Sequence, residues 1–218
     1  MQKLIDGLHA FRDGVFGNYR DLFERLARGQ NPEVLFITCS DSRVVPNLIT
    51  QTDPGDLFVL RNAGNIVPAH NPTASAEAAT IEYAVDALGV RDIVVCGHTD
   101  CGAMAGLMQP EALAKLPVVA GWLHHAGAAR RVVEEHYAHL EGKARITAAA
   151  EENVLLQLDH LETHPSVRTA LAKGKLRLHG WMYKIATGEV FHYDAANGQF
   201  IAHVAEAEAS RPATGASA

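Results

Sequence analysis

Three residues of this chain are of the types that hold soft metal ions, and their spacing places them at strand ends. Cys39 closes the apolar run Val34-Leu35-Phe36-Ile37-Thr38, while His98 and Cys101 follow Ile93-Val94-Val95-Cys96 in the stretch Cys96-Gly97-His98-Thr99-Asp100-Cys101. Two thiolates and one imidazole suit Zn2+ and leave a fourth tetrahedral position for water, the pattern of a catalytic site rather than a structural one. His-x-x-Cys alone is a weak signal. A cysteine ending one buried strand, with His-x-x-Cys ending another, is a much stronger one. Asp41 and Arg43 stand beside the first cysteine in Cys39-Ser40-Asp41-Ser42-Arg43. The carboxylate is placed either to become a fourth ligand or to accept a hydrogen bond from a metal-bound water, and the arginine can hold it off the metal in a bidentate pair. Cys96 lies inside its strand and reads as plain core.

The elements that must position these residues alternate. Leu4, Leu8, Phe11, Val15, Tyr19, Leu22, Phe23 and Leu26 recur at helical steps, and Gly7, Gly14 and Gly17 predict two helices with a bend. Strands are expected at Val34–Thr38, Leu57–Leu60, Ile93–Cys96, Lys175–His179 and Val190–Tyr193. Helices are expected at Pro46–Gln51, at Thr73–Leu88 capped by Thr73 and closed by Gly89, at Val118–Tyr137, at Thr147–Thr163 and at Pro165–Lys173. This order predicts an α/β domain with a mainly parallel sheet of four strands, one antiparallel strand at the C-terminal end, and helices on both faces. Ligands in such sheets sit beyond the C-terminal strand ends. Residues 1–204 are expected to form one domain, with 1–31 as a helical arm and 205–218 as a flexible tail.

The bulk composition excludes several classes. The 218 residues are 48% apolar and 20% charged with a net charge of −6, enough for one core and without the clustered Lys and Arg of a nucleic-acid surface. Charges interrupt Met1 to Phe16 too often for a signal peptide, and no window is apolar enough for a membrane span, so a cytoplasmic address is expected. Three cysteines do not make a disulfide framework.

Taken together, the motifs resemble the β-carbonic anhydrases. The matching blocks are Cys39-Ser40-Asp41-Ser42-Arg43-Val44-Val45-Pro46, Pro54-Gly55-Asp56-Leu57-Phe58 with Arg61-Asn62-Ala63-Gly64-Asn65, Ile81-Glu82-Tyr83-Ala84-Val85, and Cys96-Gly97-His98 through Cys101-Gly102-Ala103-Met104. The stretches Glu152-Asn153-Val154, Thr163 to Arg168 and His179-Gly180-Trp181 are similar to bacterial cyanate-linked and carboxysomal members. The resemblance implies one Zn2+ per chain on Cys39, His98 and Cys101, an Asp41–Arg43 catalytic dyad, and hydration of carbon dioxide to bicarbonate and a proton by attack of zinc-bound hydroxide. It implies a substrate pocket of Gln30, Phe58, Tyr83 and Gly102, with Phe58 and Tyr83 as an apolar wall. It also implies a homodimer, or a tetramer or octamer built on it, in which the N-terminal arm wraps a partner and Gln30 enters the partner's pocket.

Members with an inhibitory bicarbonate site carry a Trp where this chain has Phe36, although Arg61 and Tyr183 are present. The metal is therefore expected to keep its water, with Asp41 as fourth ligand only in a closed state. Two thiolates should make that water harder to ionise and favour mildly alkaline pH. The alternatives are hydrolysis of carbon disulfide or carbonyl sulfide on the same fold, and a catalytically silent scaffold. His70, His124, His125, His160 and His164 titrate in the range of a proton shuttle but read as surface histidines.

Overall fold

In a computed structural model, residues 1–203 are described. The expected tail from 205 onward lies outside the described residues. The chain opens with α1 (Gln2–Ala10), a π-helical segment (Phe11–Val15), α2 (Phe16–Asn18) and α3 (Arg20–Leu26). The helix runs through all three glycines and breaks instead at Tyr19, whose φ of −109° and ψ of 8° leave the helical region. An aromatic cluster sets this corner: the rings of Phe16 and Phe23 stack at 5.4 Å, and Phe11 meets Phe23 edge-on at 6.2 Å.

The sheet contains β1 (Val34–Cys39), β2 (Leu57–Asn62), β3 (Asp92–His98), β4 (Arg177–Tyr183), β5 (Val190–Asp194) and β6 (Gln199–Ala202) in the order β2-β1-β3-β4-β5-β6. The first four are parallel, and β5 and β6 are antiparallel. The sixth strand extends the predicted five. Gln199-Phe200-Ile201-Ala202 is too short to show a period on its own; it forms because Gly198, at φ 64°, turns the chain back onto β5. After β1 the chain steps outward to β2 and then crosses to the other side of β1 to make β3. That reversal opens a crevice between the C-terminal ends of β1 and β3.

The helices after β1 are α4 (Pro46–Thr50), α5 (Ala76–Glu82) running into a π turn (Tyr83–Ala87), α6 (Gly102–Met108), α7 (Pro117–Leu123), α8 (Gly127–His136), α9 (Gly142–Glu162) and α10 (Pro165–Ala172). Ser75, not Thr73, caps α5, accepting from Ala78 N–H at 3.1 Å. The single helix expected over 118–137 is two, joined by a 3-10 turn at His124–Ala126, because Gly121 and Gly127 weaken it. The short α6 is only seven residues long and carries Gly102 and Gly106, so it shows no helical period in sequence.

Strands and helices share one large apolar core on one face of the sheet, where Leu35, Ile37, Ile93 and Val95 meet Ile81, Met104, Val133 and Val154. Gly97 and Gly180 let α9 lie close to β3 and β4: a Cβ on Gly97 would come within 2.8 Å of Val154 Cγ2, and one on Gly180 within 3.0 Å of Val154 Cγ1. The two faces of the sheet are covered unequally. Among the described residues the apolar cluster on the other face is small, with Phe36, Val94 and Cys96 buried and Val34, Leu57, Trp181 and Tyr183 partly buried. No residue of α1, α2 or α3 is buried, so the arm does not close that face within one chain.

Candidate metal centre

Cys39 is the last residue of β1 and His98 the last of β3, and the register pairs Thr38 with Cys96, so the two ligand-type residues end neighbouring strands in the crevice. Cys101 follows one short turn later as the residue before α6. In that turn Asp100 adopts a left-handed φ of 54°. The donor atoms of Cys39, His98 and Cys101 lie within 4.8 Å of one another, and all three residues are buried.

The donor set fits a zinc ion on grounds internal to the protein. His98 Nδ1 lies 2.9 Å from Thr99 O; a carbonyl only accepts, so Nδ1 carries the proton and Nε2 presents a lone pair. That Nε2 is buried and has no hydrogen-bond partner. Buried polar atoms are rarely left so, and a buried lone pair facing two thiols is satisfied by a cation. One of the two thiols is prepared for deprotonation. Cys101 S–H donates to Cys39, which is held down to about 4 against the cost of burial, with the N–H groups of Gly64 and Asp41 assisting. The same shared proton, together with burial, pushes Cys101 up, while the N–H groups of Met104 and Ala103 at the start of α6 act in the opposite sense. Cys96 has no such company. Burial pushes it up to about 12, which fits the plain core thiol expected from sequence.

The loop after β1 carries Asp41 and Arg43. Asp41 Oδ1 accepts from Arg43 N–H at 3.0 Å and Nε–H at 2.9 Å, and Oδ2 accepts from Nη2–H at 2.7 Å. Arg43 also donates to Asp100 O at 3.1 Å, which ties the two ligand loops together. Asp41 Oδ2 is 3.9 Å from His98 Nε2, at the edge of the donor set. The Arg43 guanidinium holds the Asp41 carboxyl far below the usual carboxylate range. Arg61, expected only as part of an inhibitory site, braces the loop after β1. It donates to Cys39 O at 3.1 and 2.9 Å and to Asp41 O at 2.8 Å. Phe36, at the position of the missing Trp, packs edge-on against Trp181 at 5.9 Å on the opposite face of the sheet.

The remaining predicted residues are spread more widely. Phe58 and Tyr83 sit together with ring centroids 6.0 Å apart, and Gly102 begins α6 beside Cys101. Gln30 is exposed and lines a groove with Phe16, Phe23 and Pro54, apart from the donor set of its own chain. Two of the surface histidines are not on the surface. His164 is 3% exposed and donates through Nε2 to Pro68 O at 3.0 Å, and His160 is partly buried with Nδ1 2.7 Å from Val67 O.

Sequence reasoning missed the residues that hold the segment after β2. Gly64 N–H donates to Cys39 Sγ at 3.3 Å. Around it, Trp122 Nε1–H donates to Ala63 O at 2.8 Å and Asn153 Nδ2–H to Gly64 O at 2.9 Å. Gln157 Nε2–H donates to Asn153 Oδ1 at 2.8 Å, while Gln157 Oε1 accepts from Val67 N–H at 2.8 Å. The available signal was Asn153, Gln157, His160 and His164 at helical spacing on one stripe, polar residues where an amphipathic helix should turn apolar ones inward.

Comparison with known proteins agrees with this architecture. A family model described as carbonic anhydrase matches residues 34–190. The carbonic anhydrase of Synechocystis sp. is 51% identical over 213 residues, covering 97% of this chain and 78% of that protein. The carbonic anhydrase of Pseudomonas aeruginosa is 50% identical over 201 residues, covering 92% and 91%. Among solved structures, the β-carbonic anhydrase CcaA gives a TM-score of 0.91 at 52% identity, covering 93% of this chain and 99% of that one. A tetrameric β-carbonic anhydrase of Sordaria macrospora gives 0.80 at 34% identity, covering 88% and 95%. With a family match across most of its length, half its residues shared with such relatives, and the same fold, the chain belongs to the carbonic anhydrase family, in its β class, and catalyses the reversible hydration of carbon dioxide.

Proposed function

We propose that Cys39, His98 and Cys101 hold one zinc ion per chain and that Asp41 and Arg43 are the dyad that serves it. The observation that carries this is the convergence of three buried donors, one with an unpartnered lone pair, beside a carboxylate fixed by arginine. Zinc bound there would supply the Lewis acidity that makes a water nucleophilic near neutral pH, as it does in the three-histidine carbonic anhydrases.

The dyad's own geometry defines its part. Oδ1 of Asp41 is filled by two donors from Arg43, whereas Oδ2 takes one and keeps a lone pair on the side nearest His98. Oδ2 therefore accepts a hydrogen bond from the nucleophilic water and aims it at the substrate carbon. Because Arg43 keeps Asp41 so acidic, Asp41 orients the water and does not carry its proton away; the proton leaves to another acceptor. For Asp41 to become a fourth ligand it would have to give up bonds to Arg43, so the open state is the resting one.

Phe58 and Tyr83 form the apolar side of the substrate pocket, and Gly102, directly after Cys101, belongs to it as well. Gln30 completes it from a second copy, since within one chain Gln30 lies elsewhere. A homodimer is supported by the arm, where Leu4 and Leu8 are 66% and 69% exposed, and by the half-covered sheet face. A tetramer built on that dimer parallels the Sordaria macrospora protein. None of the described helices is long and apolar enough to cross a membrane. A cytoplasmic address is part of this reading and is supported by three cysteines that are all free rather than paired. The complete donor set and dyad speak against a silent scaffold.

Cys39→Ser tests the reading. Elemental analysis should find the zinc lost, and stopped-flow hydration should fall with it. A variant that retains full zinc occupancy and wild-type turnover removes Cys39 from the centre.

A further inference from the structure

Among the described residues, the Ala63–Gly64 peptide brings a backbone N–H to a donor of the metal set from outside the ligand loops. Its two ends do different things. The N–H of Gly64 points at Cys39 Sγ, and the carbonyl of Ala63, in the same peptide plane, accepts from Trp122 Nε1–H on α7. An acceptor loaded at one end of a peptide polarises the donor at the other. The next carbonyl, that of Gly64, is held by Asn153, which is fully buried on α9 and is itself held by the equally buried Gln157. Gly64 must be glycine for this approach: its φ is 84°, and a Cβ would lie 3.0 Å from Ala103 Cβ and 3.1 Å from Met104 Cε.

Simple packing does not account for these side chains. Asn153 and Gln157 occupy core positions of α9 among Ala149, Ala150, Val154 and Leu161, where an apolar residue would serve burial better. Their polar atoms are spent on the segment that delivers one N–H to one sulfur.

We propose that Trp122 and Asn153, the latter backed by Gln157, are positioning residues for the metal centre. They lock the Ala63–Gly64 peptide so that its N–H is presented to Cys39 Sγ, and so set how strongly that thiolate donates to the metal. A hydrogen bond to a thiolate withdraws charge from sulfur. Removing it leaves more charge on the sulfur, which eases charge transfer to the metal, and frees the side chain to move and to take up a proton, which lets the metal leave sooner. The inference rests on Cys39 being a ligand.

The test uses the cobalt-substituted protein, whose thiolate-to-metal charge-transfer band reports the sulfur directly, together with zinc release to a chelator. Variants are Asn153→Leu and the milder Trp122→Phe, with Val133→Ala as a control that opens a cavity in the same core on α8, which supplies none of these hydrogen bonds. Asn153→Leu should move the band to longer wavelength and speed zinc release about tenfold. Trp122→Phe should move the band the same way by less. Val133→Ala should lower thermal stability and leave the band in place. If Asn153→Leu does not fold, Trp122→Phe carries the test. A band unmoved in the folded variants, or moved equally by Val133→Ala, overturns the inference. A wild-type cobalt protein with no thiolate band at all would instead overturn Cys39 as a ligand.

Discussion

Residues 40–44 and residues 62–68 both wrap the donor set, and they are held in opposite ways. The first segment follows β1, is largely exposed at Ser42 and Arg43, and is fixed by charge: Asp41 and Arg43 grip each other, and Arg61 grips the backbone. The second follows β2, is buried from Gly64 to Pro68, and is fixed by neutral side chains of α7, α9 and the residue before α10. The difference separates two roles. Chemistry on a charged transition state needs a charge nearby, and an exposed loop can keep one hydrated. Placement needs rigidity, and buried amides that satisfy buried backbone supply it without adding a charge that would compete for the metal.

The sharpest way to break this contrast is Asp41→Asn. The variant keeps size and the zinc donors but loses the charge that Arg43 orients. Zinc content should stay at one per chain while kcat/KM falls about 100-fold or more, measured by stopped-flow hydration. Unchanged kinetics would place the chemistry elsewhere.

Gly64→Ala attacks the buried segment. A side chain at φ 84°, in contact with Ala103 and Met104, should cost about 1–3 kcal/mol of stability by denaturant unfolding. It should also loosen zinc, because the strained peptide carries the N–H to Cys39. A fully stable variant would mean that the segment has slack and is no clamp.

The smallest effect concerns His164, at the end of the same stripe. Burial lowers its protonation range from the ordinary 6.5, aided by the nearby His70 and His160 and opposed by the Pro68 carbonyl. With the folded value depressed, the unfolded chain takes up the proton first as pH falls. The stabilisation from neutral His164 is therefore complete above about 6.5 and is lost as pH drops through the lower folded value. Urea unfolding at pH 8 and pH 5 should show wild type losing more stability than His164→Gln over that interval. Parallel losses in the two proteins would show that His164 is not held neutral by its surroundings.

The two segments also differ in how much of them could be read in advance. Asp41 and Arg43 lie two residues apart and next to a cysteine, so their pairing was legible. Gly64 and Asn153 are 89 residues apart, and Val67 and Gln157 are 90 apart, and no local spacing announces such contacts. The histidines read as surface residues for the same reason: His160 and His164 look like solvated positions until the carbonyls of Val67 and Pro68 arrive from across the fold. The strands carrying the ligands were legible because buried parallel strands are unbroken apolar runs. The last strand was not, because four residues hold no period without a partner.

By itself the amino-acid sequence determined the donor types, their order at the ends of two strands, the dyad beside them and the alternating elements, since these rest on local chemistry and periodicity. Only the tertiary structure decided that β1 and β3 are neighbours, so that Cys39, His98 and Cys101 meet at one crevice. It alone decided that the polar stripe of α9 faces inward, and that one sheet face stays partly open in a single chain. Strand order and helix rotation are fixed by which apolar surfaces bury each other across the whole fold, and no window of residues contains that information.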